Sequence, residues 1–245
     1  MPNLLDLLFA VVVFVGGPLL DYFLLWPSLL RRVTAGESGA RIRFYGITLV
    51  GEWLPTLFVI ARWKMLARPW SALWLLPPHG GRLVASAVAA LAVAVLFLSQ
   101  IRALSRLSPA KRSALRSRVG QVTALIPHTS REHRWFMLVS LTAGICEELL
   151  YRRFLVWLLQ AWIGFGWAAV VSVVAFGAGH AYQGKEVVRP TVVGAALQGL
   201  AIITWSILPG IVVHALLDAM SGTAGYFLCR ESATGCTTAA NPVQD

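Results

Sequence analysis

Long apolar runs recur along the whole chain and are separated by short segments that carry most of its charges. A helix needs roughly 20 mostly apolar residues to cross the hydrocarbon core of a bilayer. The pattern predicts seven such spans, at about 4–27, 43–61, 83–101, 135–160, 163–181, 191–207 and 209–228. The stretch "PWSALWLLPP" at 69–78 is too short to cross and ends in two prolines, so it is predicted to be interfacial or re-entrant.

The apolar runs lack the alternation of polar and apolar positions that barrel strands show. Backbone groups in lipid need internal hydrogen-bond partners, which leaves helices as the spanning elements. The predicted fold class is therefore all-α, a polytopic membrane helix bundle of about seven transmembrane helices within a range of six to eight. The first span carries Asp6 and has no basic residue before it, so we expect it to stay in place as an anchor.

The composition agrees with a protein that has little soluble mass. Of the 245 residues, 57% are hydrophobic and 13% are charged. An ordinary soluble domain has about 25% charged residues. The composition therefore excludes that class.

The net charge of +10 indicates how the spans are oriented. With seven spans, the loops around 28–42, 102–134 and 182–190 share one side and hold 14 basic residues with their flanks, against four on the other side. The positive-inside bias places these three loops in the cytoplasm. Because topology already explains the arginines, no nucleic-acid partner is expected, whereas the 102–134 loop is suited to contact anionic lipid.

Ionisable residues within membrane spans are costly and indicate a function by default. Three of them, Asp6, Asp21 and Glu52, lie in the N-terminal half of the chain. We expect these three to stand alone and to have structural roles, with Asp6 at the membrane interface and Asp21 and Glu52 either hydrogen-bonded to neighbouring helices or facing water. The others form three patterns in the C-terminal half.

The first pattern, "EELLYR", contains Glu147, Glu148 and Arg152. On an α-helix, Glu148 and Arg152 share a face, and an acid four residues before a base is the favourable order. Glu147 is turned away by one residue, about 100°. The spacing predicts that Glu148 pairs with Arg152 and that Glu147 is free to point elsewhere.

The second and third patterns each place a histidine one helical turn from another residue of the motif. "FGAGH" puts Phe176 and His180 on one face, and "HALLD" does the same for His214 and Asp218. A carboxylate one turn from a histidine can accept a ring N–H and fix the tautomer. Each pattern alone also suits a structural role, but together they supply a carboxylate, two histidines and an orienting acid from separate helices that can converge on one pocket.

At these motifs the sequence resembles the CAAX protease and bacteriocin-processing family, which includes the type II CAAX prenyl endopeptidases. That family carries two glutamates with an arginine four residues after the second, then phenylalanine with histidine four later, then histidine with asparagine or aspartate four later. All three motifs occur here in that order, and the resemblance covers about residues 120–228. Glycine often follows the motif arginine in the family, whereas this chain has Arg153 there.

The resemblance implies an intramembrane endopeptidase with a defined set of site residues. It implies that Glu147 takes a proton from water, that His180 positions this water, and that His214 acts on the oxyanion or the leaving amine. Asp218 would hold His214, and Arg152 would balance Glu148. The cofactor stays open, since a divalent metal such as zinc is compatible with glutamate and histidine donors but the HExxH pattern is lacking.

The apolar pattern and the resemblance together predict one integral membrane domain, 1–245. It comprises N-terminal spans with a basic cytoplasmic loop (1–119), a core like that of the family (120–228) and a disordered tail (229–245). The expected partners are a peptide or protein substrate, with lipidated and membrane-bound substrates among the candidates, and membrane lipids. The expected location is the bacterial inner membrane.

Two other function classes use the same residue types. Intramembrane glutamates and histidines also make proton relays in transporters, although the repeated halves that many transporters show are not visible here. A non-catalytic immunity or scaffold protein is the third class. Both stay as alternatives to the endopeptidase.

The topology can be tested with reporter fusions. A fusion after Lys111, in the most basic loop, should show cytoplasmic reporter activity, and a matched fusion after His79 should show periplasmic activity. Periplasmic activity at Lys111 would reverse the predicted orientation.

Overall fold

The computed structural model describes residues 1–116 and 120–230, and these residues form helices without a strand. The predicted tail lies almost wholly outside the described residues, and its disorder stays a prediction. Three 3-10 helices connect the longer elements: Trp70–Leu73, Gly120–Ala124 and Ala181–Val187. The helices are α1 (Leu4–Thr34), α2 (Ala40–Met65), α3 (Gly81–Ser105), the short α4 (Pro109–Arg116), α5 and α6 within the segment Ser130–Gly179, α7 (Val188–Thr204) and α8 (Leu208–Cys229).

The segment Ser130–Gly179 is a hairpin of two helices. Its backbone leaves helical geometry at Gly164, where φ is 74° and ψ is 162°. The Ser172 hydroxyl donates a 2.6 Å hydrogen bond to the carbonyl of Tyr151, although 21 residues of straight helix would separate them by about 31 Å. The chain therefore turns back at Gly164, and α5 covers 130–163 and α6 covers 165–179.

The number of helices agrees with the sequence prediction. Within the described residues, six helical segments are long and apolar enough to cross a membrane. Because one of them is the α5–α6 hairpin, they contain seven helices. The protein is thus a multi-pass integral membrane protein, and the predicted all-α bundle of six to eight helices is confirmed.

One end of the bundle gathers the three basic loops. Trp26 of α1 packs on Tyr182 of the α6–α7 connection with ring centroids 4.9 Å apart. At the start of α2, the Arg41 side chain donates to the Ala124 carbonyl at 3.0 Å. These contacts confirm that the loops share an end, and the cytoplasmic assignment of that end stays a prediction.

The opposite end is closed by the α2–α3 connection, residues 66–80. Arg68 pairs with the buried Asp6 of α1, and its guanidinium lies 4.5 Å from the ring centre of Trp157. Arg153 donates to the Ala72 carbonyl at 2.8 Å from its Nε. The stretch 69–78 does not form a membrane-length helix, as predicted, but the expectation that Asp6 stands alone is wrong because the fold brings Arg68 to it.

Glycines allow three helices to approach the centre of the bundle closely. A Cβ atom on Gly144 of α5 would lie 2.8 Å from the backbone oxygen of Ile211 in α8. A Cβ on Gly210 would lie 2.6 Å from a carboxylate oxygen of Glu148, and one on Gly194 of α7 would lie 2.6 Å from the Phe176 ring. Small residues at helix contacts are typical of membrane proteins. Here they set the distances at which side chains meet.

The Gly144 contact predicts a specific packing defect. Gly144→Ala should lower the melting temperature in detergent, because its methyl group meets the backbone of α8, and overpacking of this kind costs about 1–3 kcal/mol. Gly46→Ala is the matched control, since a Cβ there has no neighbour within 4 Å. Equal melting temperatures for the two variants would contradict the close α5–α8 contact.

Candidate functional site

The candidate site lies where α5, α6 and α8 meet. Within α5, regular α-helix covers Ser130–Glu147, and a π-helical stretch follows over Glu148–Leu155. The change of helix type falls between the two adjacent glutamates. Short π-helical insertions within α-helices are frequent at functional sites.

The imidazole of His214 in α8 is surrounded by carboxylates. Its Nδ1 lies 2.9 Å from Oε1 of Glu148. Its Nε2 lies 3.6 Å from Oε2 of Glu147 and 3.6 Å from Oδ2 of Asp218. Two predicted motifs therefore meet at one ring, with the adjacent glutamates at its two different nitrogens.

Glu148 also forms the predicted pair with Arg152. Both side chains are fully buried, and Arg152 Nε lies 3.4 Å from the same Oε1 that contacts His214. The guanidinium Cζ of Arg152 lies 4.2 Å from the centre of the Phe176 ring. A desolvated cation over an aromatic face is stabilised electrostatically, so Phe176 gives the arginine a second favourable contact.

Phe176 connects His180 to the rest of the site. Its ring centroid lies 4.8 Å from that of His180 and 5.8 Å from that of His214. The Nδ1 atom of His180 lies 2.9 Å from the Phe176 carbonyl oxygen. Because a carbonyl only accepts hydrogen bonds, Nδ1 carries the hydrogen, and Nε2 of a neutral ring is left with its lone pair. The structure thus places all six predicted site residues in one region.

The geometry changes the expected partner of His214. The sequence predicted that Asp218, one turn later on α8, would hold the ring. The hydrogen bond goes instead to Glu148, because Gly210 leaves room for that carboxylate against α8. Asp218 lies just beyond hydrogen-bond distance, and its side chain is 40% exposed.

Two carboxylates from the N-terminal half join the site, and the sequence prediction missed them. Glu52 of α2 interacts electrostatically with Glu147 and Asp218, and Asp21 of α1 does so with His180. The expectation that they stand alone is wrong. The sequence did show that each of these carboxylates lies within an apolar run, which indicates a function. Neither Glu52 nor Asp21, however, has a partner at helical spacing that would connect it to the three motifs.

The glutamates and histidines of the site are the candidate metal ligands. Across residues 1–116 and 120–230, no group of three or more His, Cys, Asp or Glu side chains is arranged to hold a metal ion. Glu148 and His214 already engage each other.

Fold and site together define a multi-pass helical membrane protein with a buried glutamate–histidine cluster. Residues 130–220 match the family model of type II CAAX prenyl endopeptidases described as Rce1-like. This match contains all three motifs and confirms the resemblance to the CAAX protease and bacteriocin-processing family. It supports a protease that acts on a protein or peptide. No curated protein and no solved structure matches the chain.

The buried Glu148–Arg152 pair predicts a stability effect. Removing one partner strands the other charge, which costs about 3–5 kcal/mol. Arg152→Met should therefore lower the melting temperature strongly, and adding Glu148→Gln to it should restore part of the loss.

Arg32→Met is the matched control, because Arg32 pairs with Glu37 at the surface. Exposed pairs contribute about 0–1 kcal/mol, so this change should have little effect. Equal effects of Arg32→Met and Arg152→Met on the melting temperature would contradict a buried ion pair at the site.

Proposed function

We propose that this protein is an intramembrane endopeptidase in which Glu147 activates the water that hydrolyses a peptide bond. The observation that carries the proposal is the ring of carboxylates around His214, next to Phe176 and His180. In this region the carboxylates can accept a proton, the histidine nitrogens can contact a polar intermediate, and Arg152 provides a buried positive charge. These are the groups that acid–base hydrolysis requires.

The two adjacent glutamates have different surroundings, which supports different roles. Glu148 is fully buried and holds His214 and Arg152. Each glutamate has an Oε2 atom without a hydrogen-bond partner, but the Glu147 side chain is 19% exposed. Glu147 is thus the more accessible of the two carboxylates, which supports its role in taking a proton from water.

The proposed reaction begins when Glu147 takes a proton from water. The water oxygen then forms a bond to the scissile carbonyl carbon, and the carbonyl oxygen becomes an oxyanion. The C–N bond breaks as a proton passes to the leaving nitrogen, which gives a carboxylic acid and an amine and balances the proton that was taken from water.

The histidines act at two ends of this reaction. His180 directs its Nδ1 hydrogen to the Phe176 carbonyl, so its Nε2 can accept from the attacking water. Glu148 holds Nδ1 of His214. When that ring carries both protons, Nε2 donates to the oxyanion.

The substrate that we propose is a peptide or protein segment at the membrane, with a lipidated segment as the form that the matched family suggests. Many large apolar side chains of the bundle are exposed, such as Leu91 and Val95 of α3, and lie where lipid would contact them. A substrate anchored in lipid would reach the site laterally. We place the protein in a bacterial inner membrane with its three basic loops in the cytoplasm, following the positive-inside bias.

The test compares Glu147→Gln with the wild-type protein, purified in detergent, on membrane-segment peptides. The variant keeps shape and volume, so it should keep its melting temperature. It should lose at least about 100-fold in kcat, the scale of general acid–base catalysis. Glu37→Gln, which changes an exposed carboxylate in a surface pair, should retain full activity.

Two results would contradict this assignment. Cleavage that survives Glu147→Gln but is lost in a folded Glu148→Gln variant would reverse the roles of the glutamates. No cleavage of any membrane peptide by the wild-type protein would favour a non-catalytic or transport role.

A further inference from the structure

Glu52 of α2 is a buried carboxylate that the proposed reaction has not yet used. Its Oε2 atom is buried and has no hydrogen-bond partner. The two carboxylates that interact with it electrostatically, Glu147 and Asp218, carry charge of the same sign. A buried polar atom without a partner costs free energy, and placing it near two further carboxylates adds to that cost.

The helix contact places Glu52 next to the site. Trp53 donates from Nε1 to the Thr142 hydroxyl of α5 at 3.2 Å, which fixes the register of the two helices. One turn after Thr142, Cys146 also interacts with Glu52. Glu147, the next residue along α5, also interacts electrostatically with Glu52, so Glu52 lies near the proposed base.

The titratable groups that interact electrostatically with Glu52 come from two helices. From α5 these are Cys146, Glu147 and Tyr151, and from α8 it is Asp218. No basic side chain in the described part of the chain forms an ion pair with Glu52. Proteins retain such unfavourable arrangements mainly at functional sites.

Carboxyl groups that lie close together in a buried site do not all stay ionised, and a pair of them shares one proton. We propose that Glu52 is the proton-sharing partner of Glu147 and delivers the proton to the leaving nitrogen. In each cycle, Glu147 takes a proton from water while the carboxylic acid of Glu52 gives its proton to the amine. The proton on Glu147 then passes to Glu52, which restores both groups.

This inference rests on the proposed endopeptidase function and extends it. It assigns a role to α2, which lies outside the matched residues 130–220. It also accounts for an unpaired carboxylate that weakens the bundle. The groups that act on the substrate would then come from both halves of the chain.

The test separates the charge of Glu52 from its shape. Glu52→Gln keeps the shape but cannot exchange a proton, so kcat should fall at least ten-fold with little change in KM. The alkaline limb of the pH profile should change with it. Glu52→Asp keeps the carboxyl group and should retain more activity than Glu52→Gln. The melting temperature of Glu52→Gln should equal or exceed that of the wild type, because a carboxylate leaves an acidic cluster.

The matched control is Asp6→Asn, which changes a buried carboxyl group at the far end of the bundle that is paired with Arg68. It should lower the melting temperature and leave kcat and the pH profile unchanged. If Glu52→Gln keeps the wild-type kcat and pH profile, or is more active than Glu52→Asp, the inference about Glu52 is overturned and the endopeptidase proposal stands. If the wild-type protein cleaves no peptide, both proposals fail.

Discussion

The site depends on one buried oxygen atom, Oε1 of Glu148. A charge in this position is tolerated only when it is paired, and this atom contacts Arg152 within α5 and His214 across the bundle. The same contacts fix the orientation of α8 relative to α5. They also require Gly210, because any larger residue would occupy the space of the carboxylate. Packing and electrostatics are therefore set by the same few atoms.

The difference between two identical neighbours follows from this constraint. Glu148 begins the π-helical stretch and is fully buried, whereas Glu147 ends the α-helical part and is partly exposed. Arg152 gains its second contact from the face of Phe176, which also touches both histidine rings. One aromatic side chain thus links the three motifs, which explains why the phenylalanine is a part of the second motif and not only a spacer.

The sequence predicted the features that depend on local spacing. Apolar runs of membrane length indicated the helices, and the four-residue spacing of Glu148 and Arg152 indicated their pair. The bond from Glu148 to His214 joins residues 66 positions apart, so no helical periodicity could indicate it over the nearer Asp218. The approach of Glu52 and Asp21 likewise depends on how α1 and α2 pack on α5 and α6. Contacts between helices that are distant in the sequence do not follow a fixed residue spacing, so the sequence pattern could not predict them.

The balance of charge explains why the N-terminal helices matter to the chemistry. Around His214 stand Glu147, Glu148 and Asp218, and Glu52 approaches from α2, while Arg152 is the one arginine paired with this cluster among the described residues. A low-dielectric interior does not tolerate such an excess of negative charge. Bringing a further carboxylate to this cluster therefore needs a function that justifies its cost, and Glu52 of α2 is that carboxylate. Hydrolysis of a peptide bond requires proton transfers between such acidic groups. In the proposed mechanism α2 takes part in them, because it brings Glu52 to the site.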